Sequence, residues 1–334
     1  MISTQVLYSL DDVMIQPADF TTVRHRAEIK TTHDNGFLPI FTSPMPCVVQ
    51  YEDDTYLKYI DAKINPIIPR TTPLDTRIEC IKNRNIFVAF SLDEFRQLFV
   101  DSPDNYFGIH LYVVVDMACG AMCELHNNIS RAKQIYGDKI TIMSGNIASP
   151  GEFYELANSG CDLIRCSVGT GSGCCTATYT GVYYPMASLI DECVKIKRRL
   201  PNEVKIIADG GITTYRNAFK ALALGADYVM MGSRLCQCED SAGVIKTGPL
   251  GQSRKIYYGM ASVQGSKQLG KKNDAPEGKV VEYPMLGSIA EFTRLFSKYL
   301  KSTMSYCNAK NLDEFIGKQT LNVISQSAQK QFNQ

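Results

Sequence analysis

The stretch ITIMSGNIASPGEFYELANSGCDLIRCSV (140–168) contains one complete strand–helix–strand unit. ITIMSGN (140–146) and DLIRCSV (162–168) are short and almost continuously apolar, the pattern of strands buried on both faces of a parallel sheet. Between them, Ser149 is placed to cap a helix, Pro150 suits its first turn, and Gly160 ends it. The same pattern extends in both directions. PIFTSP (39–44), INPIIPR (64–70), NIFVAFS (85–91), LYVVVDM (111–117), KIIADGG (205–211) and YVMMGS (228–233) complete eight strand candidates. Further helices are predicted over 121–137, 185–200 and 214–225. Successive strands start about 20–30 residues apart, with one step of about 43, the spacing of βα units. Eight such units in series predict a single α/β domain, a (β/α)8 TIM barrel over 1–315. A doubly wound open sheet is the alternative. The Gly/Lys/Asn-rich 265–279 reads as a mobile surface loop, within an active-site flap near 262–282, and 316–334 as a polar C-terminal tail.

Composition narrows the function. The chain has 334 residues, of which 45% are hydrophobic and 21% charged, so wholesale disorder is excluded. Lys and Arg number 35 against 34 Asp and Glu, a net charge of +1, which gives no bulk attraction to nucleic acid or an anionic membrane. No apolar run reaches the ~18 residues of a spanning helix. The opening MISTQVLYSLDDVMIQ has neither the basic nor the apolar region of a signal peptide. Twelve cysteines lie mostly in apolar stretches. A reduced, cytoplasmic protein with a potentially catalytic cysteine is expected.

The most unusual segment is SVGTGSGCCTATYTGVYYP (167–185), directly after the sixth strand, where a barrel carries its active-site loops. Gly169, Gly171 and Gly173 permit a tight turn that presents N–H groups to an anion, Ser172 adds a hydroxyl, and Cys174 stands at the tip. Two small thiols packed beneath a loop would read the same way. A Rossmann fingerprint is disfavoured, because it follows the first strand and opens a helix. Asp209-Gly210-Gly211 and Gly232-Ser233 close the seventh and eighth strands, where barrels often bind phosphate, with the Asp placed for ribose hydroxyls; a turn with a cap at Thr213 or Thr214 is the plainer alternative. Together these strand ends suggest a nucleotide with its base near a thiol. His25, His33, His110 and His126 lack helical pairing, and neither Cys119/Cys123 nor Cys236/Cys238 has a matching second pair, so a structural zinc is poorly supported.

The motifs, in this order, resemble the IMP dehydrogenase / GMP reductase family over roughly residues 8–310. YSLDDVMIQP (8–17), TSPM (42–45), VVVDMACG (113–120), SGN (144–146), GTGSGCCT (169–176), ADGGI (208–212), MMGS (230–233) and YYGMAS (257–262) carry the likeness. Four features resemble the reductase branch. No inserted cystathionine-synthase-like (CBS) domain separates Ser91 from the strand at 111. TGVYYP (180–185) is similar to a reductase pattern. The short 258–277 segment is one, since no Arg-Tyr pair for activating water occurs in 257–290. EGKVVEYP (277–284) with STMSYCNAKNLDEF (302–315) is the weakest of the four.

The resemblance implies conversion of GMP and NADPH to IMP, ammonia and NADP through a covalent cysteine thioimidate. It implies Cys174 as nucleophile, with Thr176 and Glu277 moving the proton. Ser43, Met45, Ser172, Asp209, Gly210, Gly211, Gly232, Ser233, Tyr257, Gly259, Met260, Ala261 and Gly278 would bind the purine nucleotide. Asp116, Ala118, Gly120, Asn146 and Tyr179 would face the NADPH, and Gly169 and Gly171 a monovalent cation such as K+. A homotetramer is implied as well. The chain departs from the family's pattern at Pro46, at Pro69-Arg70 where a His is common, at MGSR (231–234) and at Ala177-Thr178-Tyr179. These leave open a dehydrogenase lacking its regulatory domain, or a divergent reductase or binding protein for a modified or deoxy purine nucleotide.

Overall fold

A computed structural model describes residues 4–106, 108–248 and 251–331. After a short strand β1 (Val13–Ile15), eight parallel strands follow the eight predicted runs: β2 (Ile40–Thr42), β3 (Ile67–Ile68), β4 (Phe87–Phe90), β5 (Leu111–Asp116), β6 (Ile140–Ile147), β7 (Leu163–Cys166), β8 (Lys205–Asp209) and β9 (Tyr228–Met231). Their order in space is β2-β9-β8-β7-β6-β5-β4-β3. An open sheet would leave β2 and β3 as free edges. Here they are joined at Asn65: Phe41 bridges to it in parallel, its N–H donates to the Ile40 carbonyl, and its carbonyl accepts from Thr42 N–H. The Asn65 side chain donates to the carbonyls of Leu38 (3.2 Å) and Ile40 (2.9 Å). The barrel therefore closes, and the doubly wound alternative is excluded.

Four of the intervening helices lie where the sequence placed them, at Cys123–Tyr136, Pro150–Asn158, Met186–Lys197 and Tyr215–Leu224; those at Thr55–Asp61, Leu74–Asn83 and Leu92–Arg96 were not predicted. Ser149 and Thr214 each accept a hydrogen bond from the backbone N–H three residues on, at Glu152 and Asn217. The interior of the barrel is filled by one apolar side chain from each strand: Phe41, Ile67, Ala89, Val114, Met143, Leu163, Ile207 and Met230. The outward side chains pack against the helices in a larger core. Because side chains alternate along a strand, the inward positions two residues further on include Ser43, Asp116, Arg165, Asp209 and Gly232. That second layer is polar, and it forms the floor of the site.

Three features were not legible. The polar 316–334 segment is not a free tail in its described part: β13 (Leu321–Val323) pairs antiparallel with β1, and a helix follows at Gln326–Lys330. Leu321 is only partly buried and Val323 exposed, so backbone pairing rather than an apolar pattern makes this strand. The expected mobile loop 265–279 begins inside a helix, Val263–Gln268, with Gly265 and Ser266 buried. Between barrel and C-terminal helix lies an antiparallel sheet of β10 (Ile245–Thr247), β11 (Ser253–Tyr258) and β12 (Val280–Pro284). Lys255 interrupts the apolar pattern of β11 yet is buried, its ammonium donating to the carbonyls of Ser241 and Gly243. Among the described residues no helix is long and apolar enough to cross a membrane.

Asn65→Ala removes both side-chain hydrogen bonds at the closure while the two carbonyls keep their backbone donors, and stability is expected to fall by about 1–2 kcal/mol. Equilibrium chemical denaturation measures this; an unchanged midpoint would show that the strand ends close without the side chain.

Candidate active site

The C-terminal ends of the strands surround a cavity of about 400 Å3. On one wall is the loop after β7. Cys174 Sγ donates to Thr176 Oγ1 at 3.2 Å, and Thr176 Oγ1 donates to Glu277 Oε2 at 2.7 Å. The hydroxyl thus connects the thiol to a carboxylate 101 residues beyond Thr176. Backbone contacts hold that distant segment in place. The Cys175 N–H donates to the Glu277 carbonyl (2.6 Å), and the Lys279 N–H donates to the Gly173 carbonyl (3.0 Å). Gly173, Gly259 and Gly278 meet where these segments cross. A Cβ on Gly278 would lie 2.6 Å from the Ser262 nitrogen, and one on Gly259 2.4 Å from the Gly173 oxygen. No larger residue permits that approach.

A second wall carries hydroxyls and glycines. Ser172 and Ser233 place their hydroxyls 3.0 Å apart, beside Ser43, Gly211 and Gly232. Gly210 and Gly211 both have positive φ, +97° and +72°, and turn the backbone after β8 toward the cavity. Tyr257, from β11, hydrogen-bonds Met45 Sδ at 3.5 Å. Burial pushes its phenol well above the ordinary value, so it remains a donor. Met260 and Ala261 line the wall above Cys174, and Gly259 stands beside them.

The floor is a charged chain that the sequence reading only partly found. Arg165 Nη1 lies 2.7 Å from Asp116 Oδ1, and its Nη2 lies 2.9 Å from Asp209 Oδ2. Arg70 Nε reaches Asp116 Oδ2 at 3.1 Å, and Asn146 donates to Asp209 at 2.8 Å. Burial alone would raise the Asp116 pKa; the guanidiniums of Arg165 and Arg70 outweigh it and hold the carboxyl below the ordinary range. Burial likewise opposes the charge on Arg165, and its two carboxylates more than restore it. Arg165 had a signal in the sequence, as the one charge in the strand segment LIRC (163–166). Arg70 stood out only as a departure. Ser167, Thr170 and Lys271 also line the cavity and were not anticipated.

Most expected residues therefore share this one cavity, including Ala118, Gly169, Gly171 and Glu277. Gly278 sits behind Cys174, bridged to it antiparallel. Two stand apart. The Gly120 N–H donates to the Asn146 carbonyl and so supports the wall from behind. Tyr179 is 69% exposed on the short helix Thr176–Thr180, off the cavity wall.

Comparison with known proteins gives a consistent picture. A family model described as the IMP dehydrogenase / GMP reductase domain matches residues 109–333. The chain is 32% identical over 225 residues to a protein named GMP reductase from Klebsiella pneumoniae, covering 66% of this chain and 64% of that protein. A GMP reductase from Enterobacter is 31% identical and one from Escherichia coli O157:H7 is 32% identical over the same coverage. The chain thus aligns with less than two thirds of the length of these relatives. With the family model spanning more than half of the sequence, and the cysteine loop and glycine strand ends gathered at one barrel mouth, this chain belongs to the IMP dehydrogenase / GMP reductase family.

Proposed function

We propose that the protein is an NADPH-dependent GMP reductase, converting GMP, NADPH and two protons to IMP, NADP+ and ammonium. The observation that carries this reading is the unbroken contact from Cys174 through Thr176 to Glu277, set in a cavity with a hydroxyl- and glycine-rich anion wall. Guanine C2 is an electron-poor carbon bearing an amine, so displacement there needs a soft nucleophile and a proton for the departing nitrogen. Cys174 supplies the sulfur. The thiol proton passes to Thr176 as the hydroxyl hands its own to Glu277. The S–C2 bond forms, the relay returns the proton to the exocyclic nitrogen, and ammonia leaves with the C2–N electron pair. The thioimidate that remains is electrophilic at C2. NADPH, when bound, supplies the hydride to that carbon. The C2–S bond then breaks, returning the electron pair to sulfur and releasing IMP.

The remaining groups take roles by position. Ser172, Ser233, Gly211, Gly232, Ser43 and Tyr257 form the 5′-phosphate wall, with Gly210 shaping the turn beneath it. Asp209, held by Arg165 and Asn146, faces the ribose hydroxyls. Met45, Gly259, Met260, Ala261 and Gly278 enclose the purine. The cavity continues from Cys174 to Asp116, Ala118 and Asn146, where a carboxylate, a guanidinium and an amide give the donors and acceptors a nicotinamide requires. In this reading Gly120 acts through Asn146, and Tyr179 meets the outer part of the dinucleotide. The carbonyls of Gly169 and Gly171 are the candidates for a monovalent cation, though Gly171 already accepts the Cys174 N–H at 2.9 Å. The family resemblance adds a cytoplasmic homotetramer to the reading. Absorbance separates it from the dehydrogenase alternative: NADPH decay with GMP is expected, and NADH appearance with IMP would overturn it.

Cys174→Ala is expected to abolish turnover while retaining GMP binding by calorimetry, and quenched wild-type reactions should carry a purine adduct on Cys174 by mass spectrometry. Turnover that survives the substitution would remove this residue as nucleophile. Glu277→Gln should slow ammonia release by about 100-fold or more. Its effect on hydride transfer between IMP and NADP+, which moves no amine, should be smaller. Equal losses in both assays would reject the proton relay.

A further inference from the structure

A second cavity, of about 580 Å3, opens outside the barrel, between β1 and the helices Tyr215–Leu224 and Ile289–Tyr306. It shares no lining residue with the active site. Its size is that of a site for a small organic molecule. The walls are mainly apolar, with the rings of Tyr215, Phe219, Tyr299 and Tyr306 among them, and Tyr299 and Tyr306 are exposed. Lys220 lines the same cavity and is only 2% exposed. Its Nζ donates to the Leu10 carbonyl at 2.8 Å, and among the described residues no carboxylate forms an ion pair with it. Two carboxylates act on it through space, but both are turned to other partners. Asp11 accepts from the Asn217 amide at 3.3 Å, and Asp12 accepts from the Ser9 N–H and hydroxyl, each at 2.7 Å. Arg216, one helical turn before Lys220, brings a second positive charge to the cavity. Burial, with Arg216 adding to it, pushes the Lys220 ammonium down to about 8, so it stays largely charged at neutral pH.

A buried cation without a counterion is costly, and an apolar recess open to water is a second cost. One kind of molecule relieves both, an anion attached to an apolar body. We propose that this cavity binds a carboxylate carried on an aliphatic chain, the head group facing Lys220 and Arg216 and the chain lying among Tyr215, Phe219, Tyr299 and Tyr306. A bare inorganic anion would leave the apolar walls uncovered, and a neutral hydrocarbon would leave the ammonium without a counterion. A polyanion would bring more negative charge than two cations can balance with Asp11 and Asp12 close by. The single negative charge of a carboxylate suits the balance that remains. The proposal is independent of the reductase reading, since it uses none of the active-site residues.

Decanoate and 1-decanol, the same chain with and without the charge, test this. Each is titrated by calorimetry into the full-length protein as wild type, Lys220→Met and Ser302→Trp, with cooperative thermal unfolding followed by circular dichroism on the same preparations. Methionine keeps most of the lysine stem and removes the charge, whereas tryptophan at position 302 fills the cavity and leaves Lys220 in place. Wild type is expected to bind a single decanoate per chain, about tenfold or more tightly than decanol, the gain for a hydrogen bond between charged groups. Lys220→Met should lose that preference and bind the two within about twofold of each other. Ser302→Trp should bind decanoate about tenfold or more weakly than wild type does. Failure of the wild type to bind decanoate would overturn the proposal, and so would equal wild-type affinity for acid and alcohol. Undiminished decanoate binding by Ser302→Trp would also overturn it, by placing the ligand elsewhere. Should Lys220→Met fail to unfold cooperatively, the wild-type preference and the loss in Ser302→Trp decide the question.

Discussion

The two-residue repeat of the strand, enforced inside a closed ring, is the constraint from which the site follows. In a closed parallel barrel the inward side chains have no solvent to escape to, so each strand contributes one apolar residue to a dry plug. The next inward residue stands at the mouth. That geometry turns eight unrelated short sequences into a single surface. Val114 sets the direction of Asp116, Leu163 that of Arg165, and Ile207 that of Asp209. A register slip of one residue in any of these strands would put a charge against the helices and a hydrophobe at the mouth.

Charges placed there need partners, since an uncompensated ion half out of water is costly. The solution is alternation: Arg70, Asp116, Arg165 and Asp209 form a line of opposite signs across the floor. The line spans the barrel from β3 to β8, so the groups at opposite sides of the cavity are held by the same guanidinium. Removing Asp116 leaves Arg70 without its carboxylate, and removing Arg165 leaves Asp209 without its cation, which costs more than the pair itself contributes.

Much of this was readable from residues alone. The eight apolar runs and the caps at Ser149 and Thr214 gave the barrel, because parallel strands and helix starts have strong local signals. Motif order gave most of the cavity wall. What escaped has a common cause. β13 is a strand by virtue of its partner β1, 308 residues away at the Val13–Ile15 end, and carries little apolar pattern of its own. β11 is interrupted by Lys255, whose ammonium is satisfied by carbonyls remote from any motif. Arg70 reads as a loop residue until the fold brings Asp116 beside it. Tyr179 shows that adjacency to the cysteine loop does not aim a side chain at the cavity wall: a single helical turn carries it outward.

The crossing of the cysteine loop with the 277–279 segment has one more consequence. The Cys174 thiol and the Glu277 carboxylate come from stretches of chain about a hundred residues apart, joined by two backbone hydrogen bonds and by glycines that tolerate no side chain. The sulfur is anchored to the rigid ring, whereas the carboxylate arrives on an appended hairpin. Natural variation or engineering could therefore reposition the Glu277 carboxylate by rebuilding that hairpin, with the ring and its thiol inherited intact.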